Sequence, residues 1–226
     1  GLVQAEAVDP RDVIVVLGHS LGEITAAAWA GSIDPVAGLD LMVARAALGH
    51  EANAVRPSAM AAIMRWAAPE VEWLRRTILS DAEGVLEVAV RNSPTQFVLS
   101  GDVALVEAAV AVANGDGAVA RVLPIDGAYH CQLLAAQVPG FDAAVSRAVT
   151  LDPSVPLVGS TIPGPWTAAE DIAMLLVRSL VLPVDWPAAV ATAAASGATC
   201  VLDAGPGDTL TRLARFIPDL PVVPVS

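Results

Sequence analysis

The chain has 226 residues, 55% of them hydrophobic, enough to bury a sizeable core as one large domain or two small ones. Its net charge of −12, from 12 basic and 24 acidic residues, argues against nonspecific nucleic-acid or anionic-membrane binding and gives no long-range attraction to an anionic cofactor or acidic protein. No apolar run reaches the roughly 20 residues of a membrane span, the amino end lacks a signal peptide's basic region, and Cys131 and Cys200 make neither a disulfide framework nor a metal-ligand spacing. The expectation is a cytoplasmic protein with free thiols and no bound metal.

Residues 2–8 read as the tail of a helix that Asp9-Pro10 breaks. Val13–Val16 is a β-branched run, Gly18-His19-Ser20-Leu21-Gly22 turns sharply, and an alanine-rich helix starts at about Glu23. Strand, tight turn and helix make Ser20 the candidate nucleophile. Flanking glycines permit the strained backbone that lifts its Oγ clear of the sheet edge, and the helix N-terminus favours developing negative charge. The plain alternative is an αβ turn carrying a small polar residue. Asp34 caps the next helix, with Pro35 at its first position, running to about Ala54. Arg45 lies on that helix between Leu41, Met42 and Leu48, so a cation sits on or beside the apolar stripe. It either meets a partner or snorkels at the stripe's border.

From Ser58 to Pro124 the pattern becomes β-α-β-β-α-β. AMAAIMRW, VLEVAVRN, QFVLSG and ARVLPI read as strands, PEVEWLRRTILSD and DVALVEAAVAVAN as helices. This is the ferredoxin-like order, inserted in a larger α/β domain. His130, within Asp126–Leu134, stands where the chain returns to that domain. Of the three histidines, His19 points away from its neighbour Ser20 and His50 sits in a helix tail. His130 is therefore the candidate general base, with an ordinary loop histidine as the alternative. The last third holds a strand at Pro156–Ser160, a turn around Pro163-Gly164-Pro165, and a helix from Asp171. The segment Leu182–Trp186 opens a further helix, a strand ends at Asp203, a short helix follows, and Pro221–Val225 reads as an edge strand.

Taken together, Gly18-His19-Ser20-Leu21-Gly22-Glu23, the spacings from Ser20 to Arg45 and His130, Asn92–Gly101, Leu182–Trp186 and Val201–Leu210 resemble the acyltransferase family of fatty acid and polyketide synthases, the malonyl-CoA:acyl-carrier-protein transacylases. The resemblance implies an α/β fold: an α/β-hydrolase-like large domain, 1–57 and 125–226, with an inserted ferredoxin-like small domain, 58–124. It implies that Ser20, activated by His130, takes an acyl group from an acyl-CoA thioester, holds it as an ester, and yields it to the phosphopantetheine thiol of an acyl carrier protein. No bound cofactor is needed for this ping-pong reaction.

Further roles follow from the resemblance. The Leu21 N–H would donate to the oxyanion, and Arg45 would pair with the free carboxylate of a malonyl-type substrate. Leu21 after the serine, and Tyr129 where malonyl-selective members tend to carry phenylalanine, point to malonyl over methylmalonyl. A backbone carbonyl orients the family's histidine, and the matching segment is Val184-Asp185-Trp186, in which Asp185 either contributes its side chain or caps a helix. The family's second oxyanion donor lies in a Gly-Gln-Gly turn further upstream than the 19 residues that precede Ser20. The expectation is thus a piece of a larger domain or multienzyme with neighbouring domains as partners. Competing readings are a transferase for a non-carboxylated starter group, a docking module, and a serine thioesterase or esterase. The last wants a histidine near the carboxyl end, and none follows His130.

Overall fold

The computed structural model describes residues 8–216 and 220–225, so the helix expected over residues 2–8 lies outside the described residues apart from Val8. The chain divides into two units. The first takes residues up to 43, 142–177 and from 185 onward, and the second takes 44–141 and 178–184. The second unit is wider than the ferredoxin-like segment, since it includes the end of the long second helix and the residues around His130.

The chain enters the first unit through β1 (Val16–Leu17), shorter than its β-branched run suggests. After a turn, α1 (Gly22–Trp29) buries Glu23, Ile24 and Ala26–Ala28. Its small side chains leave room for close packing. α2 (Pro35–Val55) begins at the predicted cap, where Asp34 Oδ1 accepts the N–H groups of Val36 and Ala37 at 2.9 and 3.2 Å.

In the second unit the expected β-α-β-β-α-β order is present as β2 (Ser58–Met64), α3 (Ala68–Asp81), β3 (Leu86–Ser93), β4 (Gln96–Asp102), α4 (Val103–Gly115) and β5 (Val119–Val122). The strand order β5-β2-β4-β3 is that of a ferredoxin-like sheet, with β2 antiparallel to both neighbours. Period-2 alternation sends Ala59, Ala61 and Ile63 of β2 and Phe97 and Leu99 of β4 into one core with Val71 and Leu74 of α3 and Val106 and Ala109 of α4. Met60, Ala62 and Val98, on the other face, are also buried, so this sheet reads as nearly continuous apolar runs.

Beyond a 3-10 turn at Gln132–Gln137 come α5 (Val138–Ala148), β6 (Leu157–Val158) and α6 (Ala169–Arg178). β6 pairs in parallel with β1, Val16 opposite Leu157. β7 (Val184–Asp185), which the sequence reading takes only as a loop opening a helix, joins the five-stranded sheet beside β3. Two residues are too short to show a period. α7 (Trp186–Ala195), β8 (Val201–Asp203), α8 (Thr209–Leu213) and β9 (Val222–Pro224) complete the described chain, and β8 and β9 pair in parallel. No helix among the described residues is long and apolar enough to cross a membrane.

One carboxylate fastens three parts of the second unit. Asp102 accepts Arg56 Nε and Nη2 at 2.6 and 2.7 Å and the Val85 N–H at 2.6 Å. Burial alone would raise its carboxyl. The Arg56 and Val85 hydrogen bonds overcome that and hold it below its ordinary value. Asp102→Ala is expected to lower the unfolding free energy by about 1–2 kcal/mol in urea titrations at neutral pH. Because the folded carboxyl titrates lower than the unfolded one, this contribution is complete above about pH 4 and fades as pH falls through the folded value, so variant and parent should converge in acid.

Candidate active site

In the first unit, Ser20 occupies the turn between β1 and α1 with φ of 54°, a left-handed conformation that costs a non-glycine residue about 1–2 kcal/mol. The turn can close this tightly because residue 18 is glycine. A Cβ there would collide with the backbone of Gly22 and Glu23, whereas one at Gly22 would meet nothing within 4 Å. The turn amides are largely spoken for. Gly22 N–H and Glu23 N–H return to the carbonyls of His19 and Ser20, each at 2.9 Å, and Ser20 N–H donates to Ser160 Oγ at 3.3 Å. Leu21 N–H, at the start of α1, has no partner among the described residues, and its side chain is 41% exposed. His19 packs its ring against Trp186 with centroids 5.4 Å apart.

Glu23 is wholly buried. Its Oε1 accepts Ser160 N–H at 2.7 Å, Ser160 Oγ at 2.8 Å and Thr161 N–H at 3.2 Å, so the first turn of α1 is tied to the turn after β6. Gly159 makes that turn possible, since a Cβ would collide with the Ile162 carbonyl. A carboxylate in a helix's first turn also suits the helix dipole.

The second unit brings Arg45, Tyr129 and His130 together. His130 is buried, with φ of 56°, and is held twice by the turn that follows α6: its N–H donates to Leu180 O at 3.0 Å and its Nδ1 lies 2.9 Å from Leu182 O. A carbonyl only accepts, so Nδ1 carries the hydrogen and the neutral ring presents its lone pair at Nε2. Arg45 is only 7% exposed, so it does not snorkel at a border. Its guanidinium lies over the Tyr129 ring, 4.6 Å from the centroid, and its Nη2 is 3.5 Å from His130 Nε2. Burial raises the Tyr129 phenol above its ordinary value, and the Arg45 charge offsets part of that. Next to the histidine, the Cys131 thiol is buried and pushed up to about 12, which leaves it inert as a nucleophile.

The end of α2 shapes this cluster. Asp126 bonds His50 Nδ1 and Asn53 Nδ2, both at 2.6 Å, and Ala128 N–H donates to Ser58 Oγ at 3.1 Å. A side chain at Gly49 would collide with the Tyr129 hydroxyl. Sequence reasoning did not assign roles to Gly49, Glu23, Ser160, Leu180 or Leu182. Glu23 carried a signal as the last residue of the Ser20 motif, and Leu182 as the first residue of the Leu182–Trp186 segment.

Asp185 takes one of the two roles the sequence allows, the helix cap. Its Oδ1 accepts Ala188 N–H at 3.1 Å, capping α7. The carbonyl at His130 Nδ1 is that of Leu182, not one from Val184-Asp185-Trp186, because carbonyls just past the end of α6 have no helical partner. Among the described residues no cluster of three His, Cys, Asp or Glu side chains could hold a metal ion.

Of the three non-glycine residues with positive φ among the described residues, two are Ser20 and His130, the third being Arg65. Strained backbone of this kind collects where chemistry is done. The family model for the acyl transferase domain matches residues 4–215, and the chain belongs to that family. Malonyl CoA-acyl carrier protein transacylase from Mycobacterium bovis is 34% identical over 207 residues, which cover 91% of this chain and 65% of the relative's length. Among solved structures, MCAT from Mycobacterium tuberculosis is similar with a TM-score of 0.86 and 30% identity over 99% of this chain and 74% of that chain. A type II PKS acyl-carrier protein in complex with its malonyl-transacylase gives a TM-score of 0.87 and 27% identity over 99% of this chain and 72% of that chain.

The two glycines of the Ser20 turn are expected to respond differently to substitution. Gly18→Ala should destabilise the protein by about 1–3 kcal/mol through overpacking against backbone that cannot yield. Gly22→Ala, on a helix with open space, should leave stability unchanged or raise it by up to about 1 kcal/mol. Urea unfolding of both variants checks the contrast.

Proposed function

We propose that the protein is an acyltransferase that loads an acyl group, malonyl by preference, from CoA onto Ser20 and then onto the phosphopantetheine thiol of an acyl carrier protein, in fatty acid or polyketide biosynthesis. The observation that carries this reading is the tautomer of His130: with Nδ1 committed to a carbonyl, Nε2 is the base, and no acidic third residue is required. Ser20 Oγ attacks the thioester carbonyl as His130 Nε2 takes its proton. The C–S bond then breaks, and the proton passes to the departing CoA sulfur. In the second half the carrier thiol gives its proton to His130, attacks the serine ester, and Ser20 recovers its hydrogen. Leu21 N–H, the unspent amide of the turn, receives the developing oxyanion, a contact worth about 3 kcal/mol in comparable sites.

Arg45 supports the choice of acyl group. A planar guanidinium offers the two-pronged donor that a carboxylate needs, and this one is held over the Tyr129 ring, so Arg45 and Tyr129 form the malonyl-binding part of the site. The names of the relatives, malonyl CoA-acyl carrier protein transacylase, agree with this substrate and carrier. In domain terms, residues 58–124 are an insertion in a large domain of 1–57 and 125–226. The free thiols of Cys131 and Cys200 fit a cytoplasmic setting.

Mass spectrometry of the protein after brief exposure to malonyl-CoA should find a malonyl ester on Ser20 that is discharged only when a holo carrier protein is added. Carrier-independent release of malonate would make it a hydrolase instead. His130→Ala should slow loading by roughly 10²–10⁴-fold. Arg45→Ala should lower kcat/KM for malonyl-CoA by about 10–100-fold while acetyl-CoA loses little, and unchanged selectivity would remove Arg45 from the substrate site.

A further inference from the structure

One chain of hydrogen bonds in the first unit takes no part in the transfer just described, yet it ends on the nucleophile. A serine hydroxyl can turn to donate or accept in many directions, but a carboxyl oxygen that already takes a main-chain N–H accepts. Ser160 Oγ lies 2.8 Å from Glu23 Oε1, so its single hydrogen is committed there, and its lone pair is left for Ser20 N–H at 3.3 Å. Neither residue can drift. Ser160 is wholly buried, its N–H also donates to Oε1 at 2.7 Å, and its carbonyl accepts Asp185 N–H at 2.7 Å. Oε1 is shared further with Thr161, whose N–H and Oγ1 lie at 3.2 and 3.4 Å.

We propose that Glu23 and Ser160 are positioning residues for the transfer. Glu23 fixes the direction of the Ser160 hydroxyl, and Ser160 Oγ holds the Ser20 amide so that the residue stays at its left-handed φ of 54° with Oγ aimed for attack. The same bond occupies the Ser20 N–H and leaves Leu21 N–H as the donor that remains for an oxyanion. This role rests on the reading of Ser20 as the acyl-accepting nucleophile. Loss of the relay relaxes the turn, and a displacement of the order of 1 Å at a reacting atom is enough to cost about 10²-fold in rate.

The test separates reactivity at Ser20 from substrate recognition and from folding. A small uncharged alkyl fluorophosphonate forms a bond from Ser20 Oγ to phosphorus as fluoride leaves, and it makes no use of Arg45. Its second-order labelling rate is read by intact mass on the full chain, alongside the melting temperature of each variant. Ser160→Ala should label about 10–100-fold more slowly with little change in melting temperature, and in malonyl transfer it should lower kcat with KM retained. Ser160→Cys, nearly isosteric but with a poor acceptor, should also label slowly, which keeps the test open if the alanine variant does not fold. Parent-like labelling of either folded variant would overturn the relay while leaving the transferase reading intact. No labelling of Ser20 in the parent protein would instead overturn the nucleophile itself, and the relay with it.

Discussion

A single carboxyl oxygen, Glu23 Oε1, ties the turn around Ser20 to the rest of the first unit. The turn has to hold a serine in a backbone conformation that serine disfavours, next to a helix start whose amides have no intrahelical partners. A buried carboxyl in the first turn of α1 answers the first need. It is stabilised by the helix dipole and by the donors of Ser160 and Thr161, and through Ser160 it reaches the Ser20 amide.

His130 is held by a different device in the second unit. His130 is fixed by two main-chain carbonyls, one at its N–H and one at Nδ1. A carbonyl sets the tautomer as firmly as an aspartate would, without adding a second charge beside the ring. The cation sits beside it, with the Arg45 guanidinium over the Tyr129 ring, 4.6 Å from its centroid. Gly49 belongs to the same arrangement, because only the smallest residue leaves space for the Tyr129 hydroxyl.

Legibility varied with the length of the pattern. The ferredoxin-like order was plain because four strands and two helices each carry a full period of apolar residues, and the observed bounds depart from the expected ones by one or two residues at most ends. β7 was not, since two residues carry no period, and β1 came out shorter than its β-branched run because a strand extends only where a partner pairs with it. Asp185 shows the limit at side-chain level. Both readings of that aspartate were compatible with the sequence, and the cap on α7 was decided by where α7 begins.

The sequence by itself determined the local chemistry: a strand-turn-helix around Ser20 with glycine where a Cβ cannot fit, a capped helix carrying Arg45, a histidine placed after the inserted lobe, and membership of the acyl transferase domain family through the motif that contains them. Only the tertiary structure decided which groups hold these residues in place. Ser160 meets Glu23 and Leu182 meets His130 across long stretches of chain. A main-chain carbonyl is identical in every residue, and a serine hydroxyl accepts or donates according to its neighbour, so neither leaves a mark in the sequence until packing brings a partner within about 3 Å.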